Sequence, residues 1–286
     1  MATPTLMAMA LGTRLAAGPA LYVFRDSPTE GTPWALIVAG GSWQRRVSLP
    51  TLVFVLAHPQ GLTLIDAGYG SRFGEVARQF PANVFYAIAH VAWGPPRATL
   101  PQQLAGCGLA PEQVRRILVT HGHVDHVGGC VDFPAAEVVM SAAEGRSFAQ
   151  RAPGFLQTSL AGRLRLVELA TARPFGIFPH GQDLFGDGSV VLLDTHGHTP
   201  GHMAVFVRLG SGRRVLLAGD TAWVRDHYVR MQPRGWPTSM LVDAGPNEDS
   251  LRLLHHLSQV DPELTVIPSH DPEIEAELPV PPDRLD

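Results

Sequence analysis

The chain has 286 residues, of which 45% are hydrophobic and 17% are charged, and its formal net charge is −4. These values are ordinary for a globular protein and allow one large domain or two small ones. The arginine pairs Arg45-Arg46, Arg115-Arg116 and Arg213-Arg214 are scattered and are expected at solvated strand ends, so no basic stripe indicates a nucleic-acid partner.

The N-terminal segment and the cysteines bear on the cellular compartment. The first twenty residues are mildly apolar, but they lack a basic start and Arg14 interrupts them, which is not typical of a signal peptide. No apolar run approaches the length of a membrane span. Cys107 and Cys130 form no disulfide framework and are expected as reduced thiols, with Cys130 as a small buried side chain rather than a metal ligand. The expectation is a soluble cytoplasmic protein with no membrane partner.

Short runs rich in Val, Ile and Leu, separated by Gly and Pro, predict strands along most of the chain. The expected strands are Leu21–Phe24, Ala35–Ala39, Thr51–Ala57, Thr63–Ile65, Ile117–Thr120, Val138–Met140, Leu164–Leu169, Val190–Asp194, Ala204–Val207, Val215–Leu217 and Leu264–Ile267.

Helices are fewer in the predicted pattern. Pro111 opens a short helix, and Ser141 to Gln150 forms a longer one. Asn247 is expected to cap a third helix, whose first turn is acidic and whose leucines recur on one face. Strands and helices in this order predict an α/β sandwich with two sheets inside and helices outside, built as a single domain over residues 1–286.

An aromatic and proline-rich insertion is expected at about residues 70–101. One interpretation is a long loop with a short helix that packs onto the body of the domain. The other is a cap over a pocket or a dimer contact, because aromatic loops are enriched at both. The sequence leaves the two interpretations open.

The stretch "THGHVDHVGG" follows a predicted strand and places His121, His123, Asp125 and His126 within six residues. Such a dense group of imidazoles and a carboxylate is costly to bury without a partner, and it has the donor types of a metal site. Further candidate ligands follow other strand ends: His202 in "HTPGH", Asp220 in "LAGDT" and His270 in "IPSHD".

These motifs, together with "LIDAGYG", occur in an order that resembles the metallo-β-lactamase-fold hydrolases, and they run from about residue 50 to 271. The resemblance implies an αββα sandwich with two mixed sheets and a binuclear metal site at their edge. It implies a first metal held by His121, His123 and His202, a second metal held by Asp125, His126 and His270, and Asp220 as the bridge. Asp66 would orient a ligand histidine, and His198 would be a buried hydrogen-bonding group that supports the ligands.

Nitrogen and carboxylate donors suit zinc, although such sets also bind iron, cobalt or manganese. Diiron electron-transfer proteins resemble this motif but carry glutamate at the position of His123, so the histidine favours hydrolysis. The resemblance implies that a hydroxide bridging two metals attacks the carbonyl carbon of a lactone or ester. Asp125 or Asp220 would then move a proton to the leaving group.

Within the superfamily, the chain is most similar to the N-acyl homoserine lactonases, which quench quorum sensing. The ligand set, the "HTPGH" turn, the "SHD" near the end, the chain length and the insertion after "LIDAGYG" carry this likeness. A small lactone or ester is therefore the expected partner, and a homodimer is left open. The chain departs from these enzymes three residues after Asp220, where Trp223 replaces the usual tyrosine that contacts substrate; an indole has an N–H donor but no ionisable hydroxyl. Tyr228 is nearby and either substitutes for that tyrosine or is ordinary packing.

Other functions remain open at this point. A broad carboxylic ester or thioester hydrolase is the alternative, although the thioesterases that resemble glyoxalase II usually add a C-terminal helical domain. True β-lactamases of this fold lack an aspartate at the bridging position, so Asp220 argues against them. An iron-dependent redox enzyme or a non-catalytic metal-binding protein is the alternative of a different class, and the full ligand set disfavours a degenerate site.

Overall fold

The computed structural model of the protein describes residues 18–25, 50–77, 98–152, 154–232 and 243–286. The predicted strand Ala35–Ala39 and residues 78–97 of the aromatic insertion lie outside these ranges. The role of that insertion therefore stays a prediction. In the part of the chain that the structure describes, no helix is both long and apolar enough to cross a bilayer.

The described strands form two sheets of six strands each. The first sheet runs in chain order: β1 Ala20–Arg25, β2 Leu52–His58, β3 Gly61–Ile65, β4 Val114–Leu118, β5 Glu137–Ser141 and β6 Leu164–Val167. The second sheet also keeps chain order: β7 Arg173–Phe175, β8 Phe178–Asp183, β9 Val190–Asp194, β10 Met203–Arg208, β11 Arg214–Gly219 and β12 Thr265–Pro268. Strands β3 to β6 are parallel and β1 to β3 antiparallel, while the second sheet is antiparallel except for the β11–β12 pair. Both sheets are therefore mixed.

Helices connect and cover these sheets. Those in the described ranges are α1 Phe73–Ala77, α2 Leu100–Gly106, α3 Val124–Val127, α4 Ala142–Arg151, α5 Gly154–Leu160, α6 Arg225–Val229, α7 Ala244–Val260 and α8 Pro272–Glu277. Short 3₁₀ turns lie at Pro111–Gln113, Gly128–Asp132 and Leu169–Thr171.

Alternating side chains build three apolar layers. Along β2, Leu52, Phe54 and Leu56 enter the layer between the sheets, whereas Val53 and Val55 enter the layer beneath α2, α4 and α5. A third layer fills the space between the second sheet and α7. A strand that is apolar on both faces must be covered on both sides, so the helices lie outside the paired sheets. The predicted αββα sandwich is confirmed.

Most predicted strands are present, but their bounds differ where polar residues occupy the pleat. Strand β4 begins at Val114, so Arg115 and Arg116 lie inside the strand and not at its solvated end as expected. Arg116 pairs in register with Glu137 of β5, and its Nε donates to the Glu137 carboxylate over 3.2 Å. At this position, an ion pair between neighbouring strands takes the place of an apolar cross-strand contact.

Two strands and one helix start were not predicted correctly from the sequence. Strands β7 and β8 contain Pro174 and Pro179 and lack a Val/Ile run, as is tolerated at a sheet edge. Helix α7 begins at Ala244 after Asp243, so Asn247 is not its cap; the Asn247 backbone N–H donates to the Asp243 carbonyl. The predicted helices at Pro111 and after Ser141 are confirmed, with the Ser141 hydroxyl as the cap of α4.

The glycine pair that ends the histidine motif is required by close backbone contact. A Cβ on Gly129 would lie 1.9 Å from the Ala67 carbonyl oxygen, and a Cβ on Gly128 would lie 2.3 Å from that of Tyr69. The Gly129 N–H donates to the Gly68 carbonyl over 2.9 Å. This contact presses the segment after β3 against the segment after β4, which fixes Asp66 relative to His126.

We expect Gly129→Ala to lower the free energy of unfolding by at least about 2 kcal/mol, because its methyl group would overlap the Ala67 carbonyl. Gly106→Ala is the matched control, since no atom lies within 4 Å of the added Cβ and alanine favours the helix. Chemical denaturation of both variants measures the difference. Equal midpoints would show that the glycine pair is not needed for this contact.

Candidate metal centre

The candidate ligands lie on loops that follow the carboxyl ends of strands in both sheets. His121, His123, Asp125 and His126 follow β4, and His198 lies in the turn after β9. Asp220 follows β11 directly, and His270 follows β12 at a distance of two residues. Loops at the same end of a layered sandwich converge, so distant sequence motifs meet at one edge.

Three imidazole nitrogens form the first group. His121 Nε2 lies 2.9 Å from His123 Nδ1, and His198 Nε2 lies 3.2 Å and 3.0 Å from these two atoms. A tetrahedral zinc with Zn–N distances of about 2.0–2.1 Å holds its ligand atoms roughly 3.3 Å apart. The three nitrogens therefore have the spacing of ligands around one ion.

Asp125, His126 and His270 form the second group. Asp125 Oδ2 lies 3.6 Å from His126 Nε2 and 3.7 Å from His270 Nε2. Both histidines are buried, whereas the Asp125 side chain remains 17% exposed. Each of the two groups brings its possible ligand atoms within 4.8 Å of one another.

Asp220 connects the two groups with its two oxygens. Its Oδ2 lies 3.2 Å from His198 Nε2, while its Oδ1 lies 3.2 Å from both His126 Nε2 and His270 Nε2. A carboxylate with one oxygen toward each set of imidazoles has the geometry of a bridge. Asp220 therefore lies where a carboxylate could bridge two ions, which is the role expected for it from the sequence.

Hydrogen bonds behind three of the histidines set which ring nitrogen faces the centre. The Nδ1 atoms of His126 and His270 lie 2.7 Å from Asp66 Oδ2 and 2.8 Å from the Pro50 carbonyl, and each of these oxygens can only accept. Each ring therefore carries a proton on Nδ1 and turns Nε2 inward, so Nε2 is the nitrogen that could bind an ion. Such outer partners select the tautomer that binds a metal.

The Asp66 carboxylate also reaches His121 through a threonine. It accepts from the backbone N–H of Thr120 over 2.8 Å and from its hydroxyl over 2.9 Å. Because that hydroxyl proton is used, Thr120 Oγ1 accepts from His121 Nδ1 over 3.1 Å. Asp66 was expected to orient one ligand histidine. In the structure it orients two candidate ligands, His126 directly and His121 through Thr120. Its backbone adopts φ of 57°, a conformation that aspartate tolerates better than most residues.

In the structure, the two histidines of the "HTPGH" turn have the opposite roles to those expected from the sequence. His202 was expected as a ligand, but its Nε2 accepts the Asp220 backbone N–H over 2.9 Å, and its Nδ1 lies 2.9 Å from Thr195 Oγ1. That lone pair is therefore occupied. His198, expected as a supporting residue, belongs to the first group. The motif alone does not show which histidine of the turn faces the centre.

The carboxylates and imidazoles shift each other's protonation. Burial lowers the pKa of His121 well below its usual value, so this ring keeps its lone pair. Burial alone would raise the pKa of Asp220, but the surrounding histidines, led by His126 and His270, hold it well below its usual range. Asp220 is therefore an anion at neutral pH, which a pair of cations would stabilise.

The donor set and its orientation fit divalent metal ions. Nitrogens and carboxylate oxygens converge from several loops, and the outer hydrogen bonds already fix the ligand tautomers. Cys130 lies in the apolar layer under α2, a small buried side chain as predicted. Cys107 and Cys130 are both free thiols.

Trp223 and Tyr228 lie in different environments. The Trp223 ring stands edge-on to His270 and His198, with centroid distances of 5.7 Å and 6.3 Å, and is half-buried. Tyr228 packs in the apolar layer between the second sheet and α7, where burial raises its pKa to about 12. Packing, and not the substitution for the missing tyrosine, is the role that the structure supports for Tyr228.

Comparisons with known proteins identify the family of the chain. The model of the metallo-beta-lactamase superfamily matches residues 47–270. The chain belongs to the metallo-beta-lactamase superfamily. It is 28% identical over 243 residues to the N-acyl homoserine lactonase AttM of Rhizobium radiobacter, covering 79% of this chain and 83% of the relative.

Solved structures share the fold of this chain. The structure of an N-acyl homoserine lactone hydrolase with N-hexanoyl-L-homoserine at its catalytic metal centre superposes with a TM-score of 0.71 at 20% identity, covering 93% of this chain and 98% of that one. The dizinc quorum-quenching lactonase AidC superposes with a TM-score of 0.62 at 16% identity, covering 89% and 88%. The superfamily predicted from the motifs is confirmed, and so is its fold.

We expect His198→Ala to lower metal affinity at least about tenfold, since it removes an inward lone pair, while His202→Gln keeps the metal content. The glutamine amide can still accept the Asp220 N–H, so this control loses only about 1–3 kcal/mol of stability. Metal analysis after equilibrium dialysis against zinc measures both variants. Loss of metal in His202→Gln with full retention in His198→Ala would restore the assignment made from the sequence.

Proposed function

We propose that this protein is a binuclear metal-dependent hydrolase that opens N-acyl homoserine lactones, with zinc as its metal. The position of Asp220, with one oxygen toward each histidine group, carries the proposal. The metallo-beta-lactamase superfamily supports hydrolysis, and relatives named as N-acyl homoserine lactonases support the lactone. The related AidC is named as a dizinc enzyme, which supports zinc.

His121, His123 and His198 would hold one ion, Asp125, His126 and His270 the other, and Asp220 would bridge them. When bound, such ions lower the pKa of a water toward about 7 and polarise a carbonyl oxygen. The protein contributes rigid ligand directions, because Asp66, Thr120 and the Pro50 carbonyl fix three of the imidazoles. Little reorganisation then accompanies the reaction.

The two candidate catalytic carboxylates have different surroundings. The Asp220 side chain is 3% exposed and faces histidines on both sides, so it is suited to remain ionised as a bridge. The Asp125 side chain is 17% exposed and lies on the more open side with half-buried His123. Asp125 is therefore better placed to accept a proton and pass it to the alkoxide oxygen that leaves when the lactone ring opens.

Trp223 supplies one wall of the approach to the centre. Its ring contacts the His198 and His270 rings edge-on, so a substrate that reaches both groups passes beside the indole. A flat apolar wall suits the ring and acyl chain of a homoserine lactone. It suits an aryl ester as well, so a broad ester hydrolase is the competing specificity. The expected homodimer and cytoplasmic location remain predictions.

We expect the zinc-loaded protein to hydrolyse homoserine lactones faster than δ-lactones, aryl esters, thioesters or a β-lactam, because relatives that match most of the chain are named as N-acyl homoserine lactonases. The measurement is kcat/KM for each substrate with zinc-, cobalt- and manganese-loaded protein.

His123→Ala and Asp220→Ala, which each remove a candidate ligand, are expected to abolish turnover and lower metal content. Asp249→Ala, an exposed change on α7, is the matched control.

Several outcomes would contradict this proposal. Aryl esters or thioesters turned over far faster than any lactone would replace the lactonase by the broader hydrolase. Purified protein that holds iron, shows charge-transfer bands and hydrolyses no ester would replace hydrolysis by redox chemistry. Full activity in both ligand variants would exclude the centre itself.

We expect Trp223→Tyr to raise kcat/KM for homoserine lactones about tenfold, if a phenol hydroxyl adds one hydrogen bond in the transition state. Trp223→Phe, which offers the same ring without the hydroxyl, is the matched control and should show no gain. Steady-state kinetics with one lactone compares the three proteins. Equal rates for the tyrosine and phenylalanine variants would show that no phenol is missing at this position.

A further inference from the structure

Glu144 is a buried carboxylate that neither metal group uses. It lies in the first turn of α4, and the whole residue is only 2% exposed. Burial of a carboxylate is costly unless charged or polar donors surround it. The Glu144 carboxylate is therefore expected to have hydrogen-bond donors around it.

Three donors bind the Glu144 carboxylate, and all come from the two loops that supply the first metal group. Its Oε1 accepts the Gly122 backbone N–H over 2.8 Å. Its Oε2 accepts the Thr199 hydroxyl over 2.6 Å and the Gly201 backbone N–H over 3.1 Å. One side chain thus joins the loop after β4 to the turn after β9.

Two of these contacts are directly beside a candidate ligand. Gly122 lies between His121 and His123 in the sequence, and Thr199 follows His198. The nitrogens of these three histidines are 2.9–3.2 Å apart, so a small movement of either loop would separate them. The carboxylate is placed to prevent that movement.

The start of α4 is also pressed against the turn after β9. A Cβ on Gly201 would lie 2.0 Å from the Glu144 nitrogen and 2.4 Å from Ser141 Oγ. The Ser141 hydroxyl donates to the Gly201 carbonyl over 2.6 Å and accepts the Glu144 backbone N–H over 3.0 Å. The helix start and the turn are therefore one packed unit, and Glu144 extends that unit to Gly122.

The chemistry of the three donors requires a carboxylate. Two are backbone N–H groups and one is a hydroxyl, and an ionised carboxylate offers only acceptors to them. An amide at this position would turn an NH₂ group toward at least one N–H donor. Hydrogen bonds to a charged acceptor are also about twice as strong as neutral ones.

We propose that Glu144 is the positioning residue of the first metal group, which holds the His121-x-His123 loop and the His198 turn at the spacing that one ion requires. This inference rests on the proposed binuclear centre and concerns how the chain builds it. Glu144 acts through the ligand loops and contacts no reacting atom.

The test uses Glu144→Gln in the full chain, with Glu112→Gln as the matched control at an exposed position. In the metal-free protein we expect the Gly122 and Gly201 amides to exchange with solvent at least about tenfold faster in Glu144→Gln, because each loses its charged acceptor. Nuclear magnetic resonance measures the hydrogen-exchange rate of each of these amides separately. Unchanged exchange at both amides would overturn the proposal.

The metal-loaded protein gives the second readout. We expect Glu144→Gln to lower zinc affinity and kcat about 10- to 100-fold, with KM changed less than about threefold, because ligand geometry and not substrate contact is altered. A residue that is only structural would lower the midpoint of metal-free unfolding and leave the zinc affinity of the folded protein unchanged. That result would also overturn the proposal.

Thr199→Val keeps the inference testable if Glu144→Gln does not fold, since it removes only the hydroxyl donor and keeps the side-chain shape. A smaller loss of zinc affinity is expected from Thr199→Val alone. If Glu144→Gln does fold, the double variant should lose less than the sum of the single losses. Additive losses would exclude a joint role. Accelerated amide exchange in Glu144→Gln, together with wild-type protein that binds no zinc, would retain the loop contact but reject the proposed function.

Discussion

The candidate centre depends on a requirement that metal binding imposes on buried imidazoles: each ligand ring must turn a lone pair, and not a proton, toward the ion that it would bind. Asp66 meets this requirement for His126 directly and for His121 through the Thr120 hydroxyl. The Pro50 carbonyl meets it for His270. Without these acceptors, the rings could hydrogen-bond among themselves or rotate, and their nitrogens would not converge.

The fold supplies the acceptors and the ligands at one edge. Asp66 follows β3, and the histidine motif follows the neighbouring parallel strand β4, so the two loops leave the sheet side by side. The close contact between Gly129 and the Ala67 carbonyl locks them together. The second sheet adds Asp220 and His270 from the parallel pair β11 and β12, and the packed sheets bring both sets to the same end.

The "HTPGH" turn shows how two histidines of one motif come to have different roles. His198 and His202 lie four residues apart, and both are buried. The Asp220 backbone N–H donates to His202 Nε2, so this ring supports Asp220, while His198 Nε2 faces the Asp220 carboxylate. A histidine therefore serves the centre either as a ligand candidate or as the acceptor that places another ligand candidate.

Much of this arrangement follows from local sequence, and the remainder depends on tertiary contacts. Alternating or continuous Val and Leu runs predict most strands, and the motif order predicts the superfamily, because both are local patterns. The edge strands β7 and β8, the start of α7 and the charged interior of β4 escape prediction because packing decides them. The exchange of His198 and His202 and the contacts of Glu144 escape it because they depend on which way a turn faces.

The central claim is that two ions lie on this edge, with Asp220 between them. Anomalous diffraction at the zinc edge, from crystals of the zinc-loaded protein, tests it most directly. Two peaks are expected, one at the nitrogens of His121, His123 and His198 and one at Asp125, His126 and His270, with Asp220 bound to both. A single peak, or a peak coordinated by His202, would contradict it.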